Sequence, residues 1–151
     1  MNLNNYLDTR LVHFGLDVVN KNDAINKIAK LFMHANKLDS LEVFLEGVYK
    51  RETEYSTGIG YGIAIPHCQS TTVKEASFSI VKLDKFIEWG SIDDKPVNFV
   101  IMLAAPEGGE NIHLKMLSQL AMNLMDDDFR KGLLESNSIK DIQKIFEEKG
   151  E

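Results

Sequence analysis

The spacing of apolar positions predicts one strand and two helices in the first third of the chain. Residues 11–19 alternate loosely between apolar and polar side chains, as in a half-buried strand. A helix is expected to begin at Asn22 or Asp23, since either side chain suits an N-cap. Ser40 is the predicted cap of a second helix. The apolar faces of these helices comprise Ile25, Ile28, Ala29, Phe32 and Ala35 or Asn36 in the first, and Leu41, Phe44, Leu45, Val48 and Tyr49 in the second.

Strand patterns dominate the middle of the chain. Residues 63–65 and 76–83 are predicted to be strands. Residues 86–89 form either an antiparallel partner of the second of these strands or its continuation after a bulge. Residues 97–104 are nearly all apolar, which is typical of a buried central strand.

Helical patterns return in the last third. Asn111 is the predicted cap of a third helix, residues 127–135 form a fourth, and Ser138 begins a fifth. Helices and strands mix without strict βαβ alternation, so we expect an α/β fold with a single mixed β-sheet flanked by helices on both sides. The expected core faces are Leu114, Leu117, Leu120, Ala121 and Leu124 in the third helix, and Ile139, Ile142, Ile145 and Phe146 in the fifth.

Length and charge narrow the class of protein. The 151 residues predict one domain over 1–151. With 17 basic and 23 acidic residues the net charge is −6, which argues against a general nucleic-acid binder. No long apolar run or signal peptide is found, so no membrane insertion is expected. The single cysteine, Cys68, excludes an internal disulfide framework and favours a cytoplasmic location.

The candidate chemistry centres on the glycine-rich stretch from Thr57 to His67. Its glycines permit backbone angles and close approaches that a Cβ forbids. Pro66 fixes its own φ and favours an extended residue before it, so the segment directs His67 to a defined place. A structural, hydrogen-bonded histidine is the alternative to a reactive one.

Two further side chains are candidates for the same site. His113 lies in the first turn of the predicted third helix, where unpaired N–H groups attract phosphate. Arg51 ends the second helix, and a guanidinium holds phosphate oxygens through two parallel hydrogen bonds. A satisfied core histidine and a solvated arginine are the respective alternatives. Glu52 is expected to have a buried partner and to orient Arg51 or the glycine loop.

Other site classes fit the spacing poorly. Gly58, Gly60 and Gly62 do not make G-x-G-x-x-G, and no G-K-[ST] follows, so no nucleotide loop is predicted. A zinc site would need His67, Cys68 and His113 together, although side chains of adjacent residues usually diverge.

These motifs together resemble the enzyme IIA domain of the bacterial sugar phosphotransferase system, in its mannitol/fructose class. The resemblance runs from about Leu11 to Phe146. It rests on several motifs in order: Arg51-Glu52, Thr57-Gly58-Ile59-Gly60, Ala64-Ile65-Pro66-His67, and the helix from His113-Leu114 to Leu120-Ala121.

The resemblance implies a phosphoryl carrier. His67 would accept a phosphoryl group from HPr and pass it to a cysteine of enzyme IIB, which serves the membrane component enzyme IIC. His113 and Arg51 would steady the phosphoryl group, with Glu52, Thr57, Gly58 and Gly60 in support. No cofactor or metal is required, because HPr supplies the phosphoryl group. The apolar part of the partner-docking patch is expected to include Ile59, Tyr61, Ile63 and Met116.

The branch of the family stays open. Pro66-His67-Cys68 resembles the galactitol type, whereas Pro106-Glu107-Gly108 and His113-Leu114-Lys115 are similar to the fructose type or the nitrogen-related regulators. A regulator that reports its phosphorylation state by binding other proteins is therefore the second hypothesis. A His/Cys metal-binding module is the third.

Overall fold

The computed structural model describes residues 1–108 and 111–149. A short 3-10 helix, Leu3–Tyr6, leads into the first strand. The strands and helices are β1 (Leu7–Leu16), α1 (Lys21–His34), α2 (Leu41–Glu54), β2 (Gly58–Gly60), β3 (Ile63–Ala64), β4 (His67–Gln69), β5 (Ser77–Ile87), β6 (Val97–Val100), β7 (Leu103–Ala105), α3 (Ile112–Met125), α4 (Asp127–Glu135) and α5 (Ile139–Lys149).

The strands form one mixed sheet centred on β5. Strand β1 pairs parallel with one side of β5, and β6 and β7 pair antiparallel with it. Val81 opposes Val100 and Phe78 opposes Leu103, so β6 and β7 share one register and lie end to end along β5. Strands β3 and β4 continue the sheet as parallel neighbours of β6 and β7. The predicted strand over 97–104 is thus interrupted only at 101–102.

Helices cover both faces of the sheet, as the sequence predicts. Helices α1 and α2 pack on one face, where Phe32 and Phe44 meet Val81 and Val100. Helices α3, α4 and α5 pack on the other face through a second cluster that includes Phe146. The alternation of buried side chains along β5 sends successive residues into opposite clusters, which is why one strand supports two cores.

The capping residues decide where the helices begin, and one of them differs from the prediction. Helix α1 begins at Lys21, because the side chain of Asn20 accepts the N–H of Asp23 and is the N-cap. Ser40 caps α2 as predicted, by accepting the N–H of Val43. Asn111 precedes α3 with a left-handed backbone and no side-chain cap.

Two other predictions need correction. Strand β1 begins at residue 7 and ends at residue 16, four and three residues before the predicted limits. In α3 the predicted core positions Leu114 and Ala121 are exposed, and Met116 and Asn123 are buried instead. For residues 86–89 the structure confirms the second alternative in part, because 86–87 continue β5 after a register irregularity. No helix in residues 1–108 or 111–149 combines the length and apolar character needed to cross a bilayer.

A glycine in the middle of α2 determines how closely that helix approaches β4. A Cβ built on Gly47 would lie 2.2 Å from the sulfur of Cys68, so the helix can seat against β4 only without a side chain there. Gly132, inside α4, is different, because a Cβ there would meet Ile145 at an ordinary 3.5 Å.

We therefore expect Gly47→Ala to lower the free energy of unfolding by about 1–3 kcal/mol through overpacking, measured by denaturant titration. Gly132→Ala is the matched control, with a gain of up to about 1 kcal/mol from helix propensity. Adding Cys68→Ala to Gly47→Ala is expected to restore most of the loss. An equal response of the two glycine variants would contradict the close contact.

Candidate functional site

His67 is held by hydrogen bonds at both ring nitrogens. It opens β4, directly after Pro66, and is buried. Its Nδ1 lies 2.8 Å from the carbonyl oxygen of Ile65, and the Nε–H of Arg51 points to its Nε2 at 3.2 Å. A guanidinium only donates, so Nε2 is the acceptor and Nδ1 carries the proton. The lone pair of Nε2 is therefore directed at the guanidinium of Arg51.

Burial keeps this imidazole neutral. Desolvation is the largest effect and lowers the pKa of His67, the Arg51 charge lowers it further, and the Ile65 carbonyl opposes both. The neutral tautomer is the form that acts as a nucleophile or accepts a proton.

His113 lies beside His67. It is the second residue of α3, and the two ring centroids are 5.2 Å apart at a 44° interplanar angle. Burial, His67 and Arg51 lower the pKa of His113, in that order. Its buried Nδ1 has no hydrogen-bond partner among the residues that the structure describes.

Arg51 is oriented from the last turn of α2. Its Nη1 donates to the carbonyl of Tyr55 at 2.8 Å, and its guanidinium lies 4.3 Å from the centroid of the Tyr55 ring. These contacts leave the Nε edge directed at His67. The structure thus brings together the three predicted site residues from α2, β4 and α3.

Glu52 organises the loop that follows Arg51. Its buried carboxylate accepts the N–H of Thr57 at 2.9 Å and the Thr57 hydroxyl at 2.5 Å, and it forms an ion pair with Lys21 at 2.8 Å. The indole N–H of Trp89 donates to the Thr57 hydroxyl at 3.2 Å. A paired and hydrogen-bonded carboxylate of this kind fixes the start of the glycine loop relative to α2.

The glycines allow the loop to pack closely against residues 91–93. A Cβ on Gly58 would lie 2.8 Å from the Cα of Ser91, and the N–H of Gly60 donates to the Ser91 hydroxyl at 3.2 Å. Gly60 also has a positive φ of 97°. Their close approach is therefore to residues 91–93, on the far side of the hairpin.

A cleft of about 540 Å³ opens on one side of His67. Its walls come from the glycine hairpin and from α3 and α4, including the exposed side chains of Ile59 and Tyr61. The predictions of Ile63 and Met116 as exposed patch residues are wrong, because both are fully buried.

Arg130 is a cleft residue that the sequence pattern does not reveal. Its guanidinium lies 3.9 Å from the centroid of the Tyr61 ring, and its Nη1 donates to the carbonyl of Leu124 at 2.8 Å. Tyr61 and Arg130 are 69 positions apart, and no motif links them. The only local signal is an acidic residue at i−3, Asp127, which pairs with Arg130 at 2.6 Å.

Cys68 follows His67 but belongs to the opposite face of β4. Its thiol packs against Gly47, and burial raises its pKa to about 11. Among residues 1–108 and 111–149, no group of three His, Cys, Asp or Glu side chains is placed to hold a metal ion.

Comparison with known proteins places these features in context. Residues 5–149 match the family model of the phosphoenolpyruvate-dependent sugar phosphotransferase system, EIIA 2. The fructose-specific EIIA component of Haloferax volcanii is 33% identical over 128 residues, which cover 85% of this chain and 83% of that protein. The fructose-specific EIIABC component of Bacillus subtilis is also 33% identical, over 91% of this chain, but the match spans only 22% of that protein.

Solved structures agree in fold. Nitrogen regulatory protein IIA-Ntr from Neisseria meningitidis superposes with a TM-score of 0.85 at 26% identity, covering 95% of this chain and 97% of that one. Enzyme IIA for mannitol from Escherichia coli, solved in complex with phosphorylated enzyme IIB, gives a TM-score of 0.78 at 18% identity. That match covers 93% of this chain and 96% of the other, and at this identity it bears on the fold alone.

The hydrogen bonds of His67 predict its tautomer and titration. Long-range 1H–15N correlation spectra are expected to show a protonated Nδ1 and a free Nε2 at pH 7.5, with a midpoint below the ordinary value of about 6.5. Because the unfolded chain takes up this proton more readily, the group supports stability above about pH 6.5 and this contribution is lost as the pH falls below it.

Arg51→Ala is the informative variant for this measurement. Removal of the neighbouring cation is expected to raise the pKa of His67 towards the ordinary value while burial still holds it below. A proton found on Nε2 would contradict the assigned geometry.

Proposed function

The chain belongs to the EIIA 2 family of the phosphoenolpyruvate-dependent sugar phosphotransferase system, and on that premise we propose that it is a phosphoryl carrier acting through His67. HPr is the proposed donor and a cysteine of enzyme IIB the proposed acceptor, with enzyme IIC served indirectly. The observation that carries the proposal is the neutral His67 ring at the wall of the cleft, whose Nδ1 is held by the Ile65 carbonyl and whose Nε2 accepts a hydrogen bond from Arg51.

The proposed transfer is an in-line displacement at phosphorus. The lone pair of His67 Nε2 forms a new N–P bond while the N–P bond in the donor histidine breaks, and the donor nitrogen keeps that electron pair. In the next step an acceptor thiolate forms an S–P bond and the N–P electron pair returns to Nε2. Each transfer needs mainly positioning and charge stabilisation from the protein.

Arg51 has two successive tasks in this scheme. Before transfer, its Nε–H holds Nε2 at 3.2 Å, which orients the imidazole but also covers its lone pair. As phosphorus approaches, the guanidinium must release that contact and donate to the phosphoryl oxygens instead. Its attachment to Tyr55 keeps it within reach throughout the exchange.

His113 complements the charge after transfer. Its lowered pKa owes something to the cationic Arg51 nearby, an effect that a phosphoryl dianion beside it would counteract. A ring N–H of His113 is then the second donor for the phosphoryl oxygens. The 5.2 Å separation of the rings supports this role.

A regulatory role is the second candidate, and the likeness to the nitrogen regulatory protein of Neisseria favours it. The fructose-specific relatives favour transport. Incubating the phosphorylated protein with candidate enzyme IIB proteins separates the two, since only a transport component passes its phosphoryl group to a cognate cysteine. Genes for enzymes IIB and IIC beside this one would favour transport as well.

Phosphate uptake tests the carrier assignment. Incubation with phosphoenolpyruvate, enzyme I and HPr is expected to yield an acid-labile, alkali-stable phosphate, because N–P bonds have that stability pattern. His67→Ala is expected to abolish the label, whereas His34→Ala, at an exposed position in α1, is expected to keep it. Labelled His67→Ala protein would overturn the assignment.

Arg51→Lys tests bidentate recognition. Lysine keeps the charge and loses the planar fork, so one charge-assisted hydrogen bond worth about 1.5–3 kcal/mol is lost. Single-turnover phosphorylation is therefore expected to slow by about 10- to 100-fold, followed by rapid quench. Arg10→Lys, which alters an exposed surface ion pair, is the control. A wild-type rate in Arg51→Lys would contradict bidentate recognition of the phosphoryl group by Arg51.

A further inference from the structure

The hairpin between β2 and β3 turns on a tyrosine in an unfavourable backbone conformation. Gly60, Tyr61 and Gly62 have consecutive positive φ angles of 97°, 59° and 77°. The two residues between the strands are Tyr61 and Gly62, so both central positions of this short turn are left-handed. Glycine, asparagine and aspartate suit such positions, and a bulky aromatic does not.

Burial does not account for the tyrosine. Its side chain belongs to neither hydrophobic cluster, and the residue is 64% exposed. Tyr61 thus adopts a backbone conformation that tyrosine disfavours, and no burial in the core stabilises it there. Such departures concentrate at positions where a side chain is required for function.

The ring is nevertheless held in place from one side. The guanidinium of Arg130 lies 3.9 Å from its centroid, which is a cation–π contact. Arg130 is itself anchored, because it donates to the Leu124 carbonyl at 2.8 Å and pairs with Asp127 at 2.6 Å. Arg130 is only 9% exposed. Its contact with Tyr61 therefore joins the hairpin to the α3–α4 junction.

The contact spans the cleft beside His67. Tyr61 and Arg130 both line the cleft that also contains Arg51 and His67. A donor protein that reaches His67 through this cleft also covers the exposed ring of Tyr61. Tyrosines anchored in this way dominate binding energy in many interfaces.

We propose that Tyr61 is a recognition residue for the phosphodonor protein and that Arg130 is the positioning residue that holds its ring. The proposal rests on the proposed function. The donor surface that fits is apolar, because it must cover the exposed side chains of Tyr61 and Ile59. Neither residue touches the phosphoryl group.

Tyr61→Asn separates recognition from folding. Asparagine suits the left-handed backbone, so the midpoint of denaturant unfolding is expected to be equal to or above that of the wild type. The KM for phosphorylated donor is expected to rise at least fivefold, with kcat within twofold. Tyr61→Phe, which keeps the ring, is expected to restore most of the affinity.

A remote left-handed residue provides the matched control. Asn36 follows α1 with a φ of 60°, is exposed, and does not line the cleft. Asn36→Gly is expected to leave the KM for the donor unchanged. An equal KM in Tyr61→Asn and wild type would overturn the proposal.

A double-mutant cycle tests the role of Arg130. Arg130→Met is expected to raise the KM, and the double variant with Tyr61→Asn is expected to be no worse than Tyr61→Asn alone. Additive increases would show that Arg130 does not act through Tyr61. If Arg130→Met does not fold, the comparison of Tyr61→Asn with Tyr61→Phe still decides the recognition role.

Failure of this inference differs from failure of the proposed function. If the wild-type protein takes no phosphate from the donor, the carrier assignment itself is wrong. If the wild type is phosphorylated normally and Tyr61→Asn has the same KM, only the recognition role of Tyr61 is lost.

Discussion

The buried carboxylate of Glu52 is the contact on which the site geometry depends. A buried charge is tolerated only when it is paired and hydrogen-bonded, and Glu52 satisfies this through Lys21 and both polar hydrogens of Thr57. The network extends to Trp89 through the Thr57 hydroxyl. It therefore joins α1, α2, the glycine loop and the end of β5. Arg51 is the preceding residue, so the same anchor fixes its backbone, while Tyr55 orients its guanidinium.

The glycine hairpin and Pro66 then act on His67 from the other side. The loop is fixed by the hydrogen bonds of Thr57 and packs against Ser91. Beyond it, β3 pairs with β6 and β4 pairs with β7, both in parallel. This register delivers His67 next to Leu103, with its Nδ1 against a backbone carbonyl two residues earlier. The tautomer is thus set by main-chain geometry. In the proposed transfer, the side chains of Arg51 and His113 stabilise the charge that arrives at Nε2.

The sequence predicts most of this arrangement where the pattern is local. Helical spacing identifies α1, α2 and α4, and linear motifs identify His67, Arg51 and His113. It fails on α3, where leucine spacing places Leu114 in the core although that side is open beside the His67 site. It also misses Arg130 altogether. The contact of Arg130 with Tyr61 depends on tertiary packing of α4 against the hairpin, which the spacing of residues along the chain does not predict.

The seating of Cys68 against Gly47 has a chemical consequence. In the proposed pathway the phosphoryl group ends on a cysteine, and this chain carries a cysteine next to its own nucleophilic histidine. With a pKa of about 11, only about one thiol in ten thousand is ionised at pH 7. The absence of a side chain at Gly47 leaves room for this sulfur between α2 and β4. In the proposed pathway a buried, protonated thiol is a poor phosphoryl acceptor, which favours transfer to a cysteine of another protein.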